Sequence, residues 1–190
     1  TSSGWVTSTS SPNEAQTAHG QSGSSCPTSL DISEQSAVGI RPAGATTFTS
    51  GTPFLLARAI HYNNPIRGAA EYWSGKFTIQ MAGFDGSPQI GLNWWMWETP
   101  NNANPCAGGS DSNGCFDEIK FTSQIGDQIV TQSGYDYRLV ITGFVSVSSS
   151  ATCPSTPSGA TINDFWTHEG ATTHACLYAA LSQVRKVIIT

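Results

Sequence analysis

Two glutamates are the residues of this 190-residue chain with the clearest potential for acid–base catalysis. Glu98 ends an apolar run, and Glu169 lies beside aromatic and histidine residues in segment 165–170. If their carboxyl groups met in one cleft, roughly 5 to 10 Å apart, they could act as the acid and base of a glycoside hydrolase. No G-x-S-x-G elbow indicates a serine hydrolase instead. A glycan-active enzyme using Glu98 and Glu169 is therefore one hypothesis, and carboxylates that cap surface turns are the alternative.

The segment from Glu98 to Glu118 is rich in oxygen ligands. Carboxylate and amide side chains recur along it. Calcium binds six to eight oxygens, several of them from amides and backbone groups. The segment therefore predicts a calcium ion, with the candidate ligands Glu98, Asn101, Asp111 and Asp117. The alternative is hydrogen bonding of these side chains to the loop backbone.

A histidine and an asparagine end another apolar segment. His61 and Asn63 point to the same side if the strand continues, and Pro65 fixes the turn that follows. They could bind a metal or a substrate, or they could bond the loop backbone. His61, His168 and His174 could in principle hold zinc, but they lack the HxH and HExxH spacings of known zinc sites.

The run 90–98 alternates between two kinds of side chain. Its even positions are apolar and supply a core face, so Asn93, Trp95 and Trp97 project from the opposite face. Two indoles at this spacing can cover the apolar C–H faces of a sugar while nearby amides bond its hydroxyls. The predicted ligand-binding set is Asn93, Trp95 and Trp97, together with His61 and Asn63. The alternative is that both indoles lie under the N-terminal segment or in an oligomer contact.

Five cysteines indicate an oxidising compartment. Cys106 and Cys115 bracket a Gly/Ser/Asn loop that a disulfide would close, and Cys153 with Cys176 would close a longer turn-rich connection. Cys26 is then left unpaired. We expect a secreted protein, extracellular or associated with a cell surface, whose start at Thr1 is a mature N-terminus left after signal-peptide removal.

Charge and hydropathy narrow the possible partners. Only 11% of the residues are charged, the net charge is −5, and eight Lys and Arg are scattered singly along the chain. Nucleic acid is therefore excluded as a partner, because no basic stripe can neutralise phosphates. No apolar stretch approaches the roughly 18 residues of a membrane span. Carbohydrate, cell-wall or matrix material and a second copy of the chain remain as expected partners.

Apolar residues with a period of two must position these side chains. From about residue 48 onward, short alternating runs are separated by Gly, Pro, Asn and Ser, with no helical period. This pattern predicts an all-β fold, an antiparallel β-sandwich or jelly roll with long loops and little helix. We expect one domain over residues 1–190, in which residues 1–45 form a partly irregular edge segment with one or two short strands.

The order of several motifs resembles the choice-of-anchor K domain over roughly residues 45 to 185. The resemblance rests on His61-x-Asn63-x-Pro65-Ile66, Glu98-Thr-Pro-Asn101, Asp117 before Ile119, Gly134-Tyr135, Gly143-Phe144, Thr167-x-Glu169 and Leu177-Tyr178-Ala179. Members of this family are extracellular β-rich modules of microbial cell surfaces, mostly without an assigned activity. The resemblance implies that the polar members of these motifs converge on one site, namely His61, Asn63, Glu98, Asn101, Asp117 and Glu169.

Three functions are compatible with these observations. The first is a secreted, non-enzymatic β-sandwich module that binds carbohydrate or cell-surface material and carries a structural calcium ion. The second is the glycan hydrolase that uses Glu98 and Glu169. The third is a structural protein that assembles outside the cell through an exposed apolar face or through Cys26.

Overall fold

The structure is a computed structural model that describes residues 6–10, 14–20, 35–66, 71–121, 128–147 and 152–184. Within these ranges all regular secondary structure is β, in eleven strands that pair only in antiparallel fashion. The all-β prediction is therefore confirmed. The described residues include no helix long and apolar enough to cross a membrane.

The strands form two sheets. Their bounds are β1 Val6–Ser10, β2 Glu14–His19, β3 Ser36–Pro42, β4 Phe54–Asn63, β5 Glu71–Gln80, β6 Gln89–Glu98, β7 Asp117–Phe121, β8 Gln128–Gln132, β9 Tyr135–Val147, β10 Asp164–Thr167 and β11 Ala171–Gln183. The large sheet has the order β1-β2-β3-β4-β11-β9-β8, and the small sheet has the order β10-β7-β6-β5.

A single apolar core lies between the two sheets. The small sheet contributes the even positions of β6, among which Ile90, Leu92 and Met96 are fully buried. The large sheet contributes residues such as Val38 and Leu177. Because alternate residues of a strand face opposite sides, this burial fixes which side chains of β6 reach the outer surface. The β-sandwich prediction is confirmed.

The N-terminal segment is more regular than predicted. It contributes three strands, β1 to β3, and β3 pairs with β4 through Ala37–Tyr62 and Ile40–Ala59. The prediction of one or two edge strands is therefore corrected. Residues 36–40 are all buried, because small residues such as Ala37 and Gly39 fill the face opposite Val38 and Ile40. A strand buried on both faces does not alternate in hydropathy, so its sequence resembles a loop. Residues 1–5, 11–13 and 21–34 lie outside the described part of the chain.

Strand β9 does not keep one alternation of buried and exposed side chains over residues 135–147. Leu139 is buried, but Phe144 is 1% exposed while Val145 is only half-buried. The pairing with β11 skips Thr142, and Gly143 has a φ of 117°. This β-bulge inserts one residue, so the buried positions change from odd to even numbers along the strand.

Both expected disulfides are present, which is compatible with a secreted domain. Cys106 bonds Cys115 with a Cα–Cα distance of 5.4 Å, and Cys153 bonds Cys176 at 5.5 Å. Because Cys176 is fully buried in β11, the second bond ties the loop before β10 to the large sheet. Cys26 lies outside the described residues.

Candidate functional site

The outer surface of the small sheet carries a row of large side chains. In β6, Trp94 is 2% exposed and faces the core, whereas Trp95 and Trp97 face outward and are partly exposed. Strand register continues the row across the sheet. Tyr72 of β5 lies opposite Trp97, and Glu118 of β7 lies opposite both Trp97 and Trp166 of β10; the row is Tyr72, Trp97, Glu118 and Trp166.

The aromatic members of this row contact one another, and Tyr72 also contacts Trp95, the other outward indole of β6. We name Tyr72, Trp95, Trp97 and Trp166 the aromatic face. The Tyr72 ring stacks on Trp95 with centroids 5.2 Å apart and on Trp97 at 5.6 Å, with interplanar angles of 25° and 20°. Trp97 meets Trp166 edge to face at 6.1 Å. Tyr72 is nevertheless 63% exposed. Its ring therefore covers the two indoles while much of its own surface remains open to solvent.

Charged and amide side chains surround the aromatic face. Lys120 lies opposite Trp95, Asp164 lies opposite Lys120, and the exposed Asn93 lies opposite Lys76. Burial, together with the nearby Asp164 carboxylate, raises the pKa of Glu118, and Lys120 opposes this shift. The surface thus places hydrogen-bond donors and acceptors beside stacked rings.

The disulfide-closed loop 106–115 supports one end of the aromatic face. Gly108 in this loop packs directly on Trp166, and a Cβ added at Gly108 would overlap the indole ring. The Cys106–Cys115 bond closes the loop at its base. The loop therefore packs against the Trp166 indole and restricts its position.

A second group of polar residues lies between the sheets, where β4, β6, β7 and β10 meet the segment before β11. We name it the polar end. The register Trp97–Glu118 places Glu98 opposite Asp117, and Asp117 pairs with Thr167. Its members are all buried: His61, Asn63, Glu98, Thr99, Asp117, Thr167 and Glu169.

The Thr167 hydroxyl organises one half of the polar end. It donates to the Asp117 carbonyl at 3.2 Å, so it accepts from His61 Nδ1 at 2.7 Å and from Asn63 Nδ2 at 3.3 Å. His61 Nε2 then accepts from the Ser36 hydroxyl at 3.1 Å. Burial, aided by His19, lowers the pKa of His61 to about 3. His61 is thus neutral and uses both ring nitrogens within the fold.

The carboxylates form the other half. Asp117 Oδ1 accepts from the backbone N–H and the hydroxyl of Thr99, at 2.7 and 3.1 Å. Glu169 Oε1 accepts from Asn101 Nδ2 at 2.9 Å. His19 Nε2 lies 3.3 Å from Glu98 Oε2.

Burial and electrostatic repulsion raise the pKa values of carboxyl groups in the polar end. Burial, then the neighbouring Glu98 and Glu169, raises the pKa of Asp117 to about 8. Burial also raises the pKa of Glu169, although hydrogen bonding by Asn101 and Asn63 opposes the shift. The Glu98 and Glu169 carboxyl groups thus lie close enough to Asp117 to disfavour its ionisation.

The four residues predicted to bind calcium do not converge as a set. Glu98 and Asp117 adjoin each other, and Asn101 lies beside Glu169. Asp111 is exposed and accepts instead from the backbone N–H of Asn113 at 2.8 Å, with His168 Nδ1 at 3.1 Å from its other oxygen. These contacts, the Asn113 backbone first, lower the pKa of Asp111. Within the described ranges, no three His, Cys, Asp or Glu side chains are grouped so that they could hold a metal ion.

The predicted ligand-binding set is also divided. Trp95, Trp97 and Asn93 lie on the outer surface, whereas His61 and Asn63 are 0% and 1% exposed between the sheets. The two glutamates proposed for catalysis do lie at one end of the sandwich. They are buried there, with exposed fractions of 7% for Glu98 and 1% for Glu169.

Sequence reasoning missed Tyr72 and Trp166 as members of the aromatic face. Their signal was present, since Tyr72 has the same parity as the exposed positions of the alternating strand β5, and Trp166 follows the buried Phe165. Only strand register brings both beside Trp97.

An apolar cavity at the other end of the sandwich was also not predicted. It has a volume of about 370 Å³, and Phe48, Phe54, Met81 and Phe84 are among the side chains that line it.

Sequence comparisons with protein families and with curated proteins found no relative of this chain. No protein-family model matches the chain, and no curated protein matches it in sequence. The resemblance to the choice-of-anchor K domain therefore stays a prediction.

Proposed function

We propose that this protein is a secreted β-sandwich module that binds carbohydrate of a cell surface or extracellular matrix through its aromatic face. The observation that carries the proposal is the stacking of Tyr72 on both Trp95 and Trp97 while Tyr72 remains 63% exposed. Large apolar rings that remain exposed to water are unfavourable relative to buried ones. Surfaces that expose them mark binding sites. Aromatic rings beside polar groups suit sugars, which have apolar C–H faces and hydroxyl rims.

Two further observations support the proposal. The intramolecular disulfides are typical of oxidising compartments, where extracellular polysaccharides occur. The order of motifs that resembles the choice-of-anchor K domain favours the same location. We propose membership of that family on these grounds.

The aromatic face predicts a specific loss on mutation. Trp97→Ala removes the indole that contacts both Tyr72 and Trp166, so affinity for a bound polysaccharide should fall at least about tenfold, or ~1.4 kcal/mol. Binding can be measured by tryptophan fluorescence with soluble oligosaccharides and by sedimentation with insoluble wall polymers. The matched control is Tyr135→Ala, because Tyr135 is a 59% exposed aromatic residue on the large sheet.

The results separate the three hypotheses. Binding that survives Tyr135→Ala and is lost in Trp97→Ala supports the proposal. If no polymer in a broad panel binds, or if both variants behave alike, the carbohydrate proposal fails. Concentration-dependent assembly that Trp97→Ala abolishes would instead assign the aromatic face to self-association.

Binding is favoured over hydrolysis for a structural reason. A glycosidic bond must reach both catalytic carboxyl groups, whereas Glu98 and Glu169 are buried and already engaged with His19 and Asn101. Release of sugar products from the same polymer panel would reverse this preference.

A further inference from the structure

We infer that the apolar cavity, which lies at the end of the sandwich away from the polar end, binds a small uncharged molecule with an apolar body, aromatic or alkyl. The residues that line it come from β3, β4, β5, β8 and β11 and from the segments that follow β3 and β5. None of them belongs to the aromatic face. Binding at this cavity therefore goes beyond the proposed function and does not depend on carbohydrate binding.

The inner wall of the cavity is part of the hydrophobic core. Phe54 and Leu56 of β4 and Leu181 of β11 belong to the large sheet, and Ile79 of β5 belongs to the small sheet. All four side chains are buried, and all four belong to the single apolar core. The cavity therefore lies between the two sheets, and a ligand in it would extend the core.

The outer wall exposes apolar surface that a ligand would cover. Phe48, Met81 and Phe84 are only half-buried, although they pack against the core. Phe48 stacks on Phe84 with ring centroids 6.0 Å apart and an interplanar angle of 19°, and it contacts Phe54 at 6.1 Å. Protein interiors contain few voids larger than a water molecule. Filling this void of about 370 Å³ would remove apolar surface from water, which is favourable.

The lining selects an uncharged ligand. None of the described residues that line the cavity is Asp, Glu, Lys, Arg or His. Burying a charge without a partner is strongly unfavourable, so an anion or a cation would be excluded. The polar side chains of the lining are the neutral groups of Thr46, Gln80 and Gln132. Apolar pockets with a few such groups bind apolar molecules and orient them through a neutral polar end.

The volume of the cavity limits the size of the ligand. At about 370 Å³ it is roughly two and a half times as large as the roughly 150 Å³ cavity that binds benzene. It lies near the lower end of the range of ligand pockets, which is roughly 300 to 1,000 Å³. The expected ligand is therefore the size of roughly two or three six-membered rings, or of an alkyl chain of equal volume.

Hydrogen bonds hold the segments that form the outer wall. In the turn after β5, the Asp85 N–H donates to the Thr131 carbonyl of β8 at 2.7 Å, and Gln132 Nε2 donates to the Gly83 carbonyl at 3.0 Å. These bonds tie the turn of the small sheet to the large sheet. In the segment after β3, the Ala43 N–H donates to the Leu56 carbonyl at 2.9 Å. Because the walls are already ordered, binding costs little conformational entropy.

Two fluorescent probes that differ in one charged group test the inference on the unmodified full chain. N-phenyl-1-naphthylamine is uncharged, whereas 8-anilinonaphthalene-1-sulfonate carries the same rings with an added sulfonate. We expect the uncharged probe to bind saturably, with an affinity at least about tenfold higher than that of the anionic probe, because no lining residue neutralises the sulfonate. The uncharged probe should also raise the Tm, since it binds the folded state.

Met81→Trp should block the cavity. The larger indole would fill part of its volume, so affinity for the uncharged probe should fall at least about tenfold in a fluorescence titration. Met81→Leu is the matched control, because it nearly keeps the side-chain volume and should retain binding. Trp97→Ala should also retain binding of the probe, so failure of the carbohydrate proposal is distinguishable.

The absence of a saturable signal with the uncharged probe would overturn the inference. Equal affinities for the two probes, or equal binding by Met81→Trp and Met81→Leu, would also overturn it. Loss of binding in Trp97→Ala would place the probe on the aromatic face and would count as the same failure. The comparison of the two probes and the Trp97→Ala measurement decide the question even if Met81→Trp does not fold.

Discussion

At the scale of single residues, the Thr167 hydroxyl is the centre of a hydrogen-bond network in the polar end. This hydroxyl, on β10, joins His61 and Asn63 of β4 and the backbone of Asp117 of β7. All four residues are buried, so water cannot replace a lost contact without opening the sandwich. Removal of this one hydroxyl would leave several buried donors and acceptors unsatisfied.

The Thr167 network predicts a contrast between two substitutions. Thr167→Val keeps the shape and removes the hydroxyl, so the free energy of unfolding should fall by about 2 to 4 kcal/mol. Thr167→Ser keeps the hydroxyl and should cost less than about 1.5 kcal/mol. Urea denaturation of both variants measures the difference. Equal destabilisation would mean that the methyl group, and not the hydrogen-bond network, makes the contribution.

At the scale of elements, loop 106–115 acts on a neighbouring strand. Gly108 touches the ring of Trp166 on β10, so the loop controls where one end of the aromatic face lies. The sequence indicated that a disulfide would close this loop, but it did not indicate which side chain the loop contacts. The reason is that the contact joins segments about sixty residues apart, and only the pairing of β10 with β7 brings them together.

Gly108→Ala is expected to impair binding while the protein remains folded. The added methyl group must displace the Trp166 ring, so affinity for carbohydrate should fall several-fold while the free energy of unfolding changes by no more than roughly 1 to 3 kcal/mol. Gly159→Ala serves as the control, because no atom lies within 4 Å of its Cβ position. Binding isotherms and urea denaturation check both effects. Unchanged affinity in Gly108→Ala would separate the loop from the aromatic face.

At the scale of the whole molecule, the two disulfides have different tasks. The Cys153–Cys176 bond spans 23 positions and joins a long loop to a buried strand of the large sheet. The Cys106–Cys115 bond spans 9 positions and closes the loop behind Trp166. One bond therefore chiefly stabilises the sandwich, and the other chiefly shapes its outer surface.

Replacing each pair by alanine should separate these tasks. Loss of Cys153–Cys176 should cost about 3 kcal/mol of unfolding free energy, and loss of Cys106–Cys115 roughly 2.5 kcal/mol, since the cost grows slowly with loop length. Carbohydrate affinity should fall only in the variant that lacks the Cys106–Cys115 bond. Denaturation and polymer binding measured on both double variants provide the test. Loss of affinity in the variant without Cys153–Cys176 would contradict the division.

The sequence by itself determined the fold class, the core face of β6 and both disulfides. These features depend on residues close together in the chain: alternation within one strand decides which face is buried, and cysteines that flank a polar loop are already near each other. The tertiary structure alone decided the bulge in β9, the regularity of β3 and the meeting of Tyr72 with Trp97. It also decided that His61 and Asn63 lie inside the sandwich, away from the indoles. The physical reason is that register between distant strands is set by packing of the whole core, which no local pattern records.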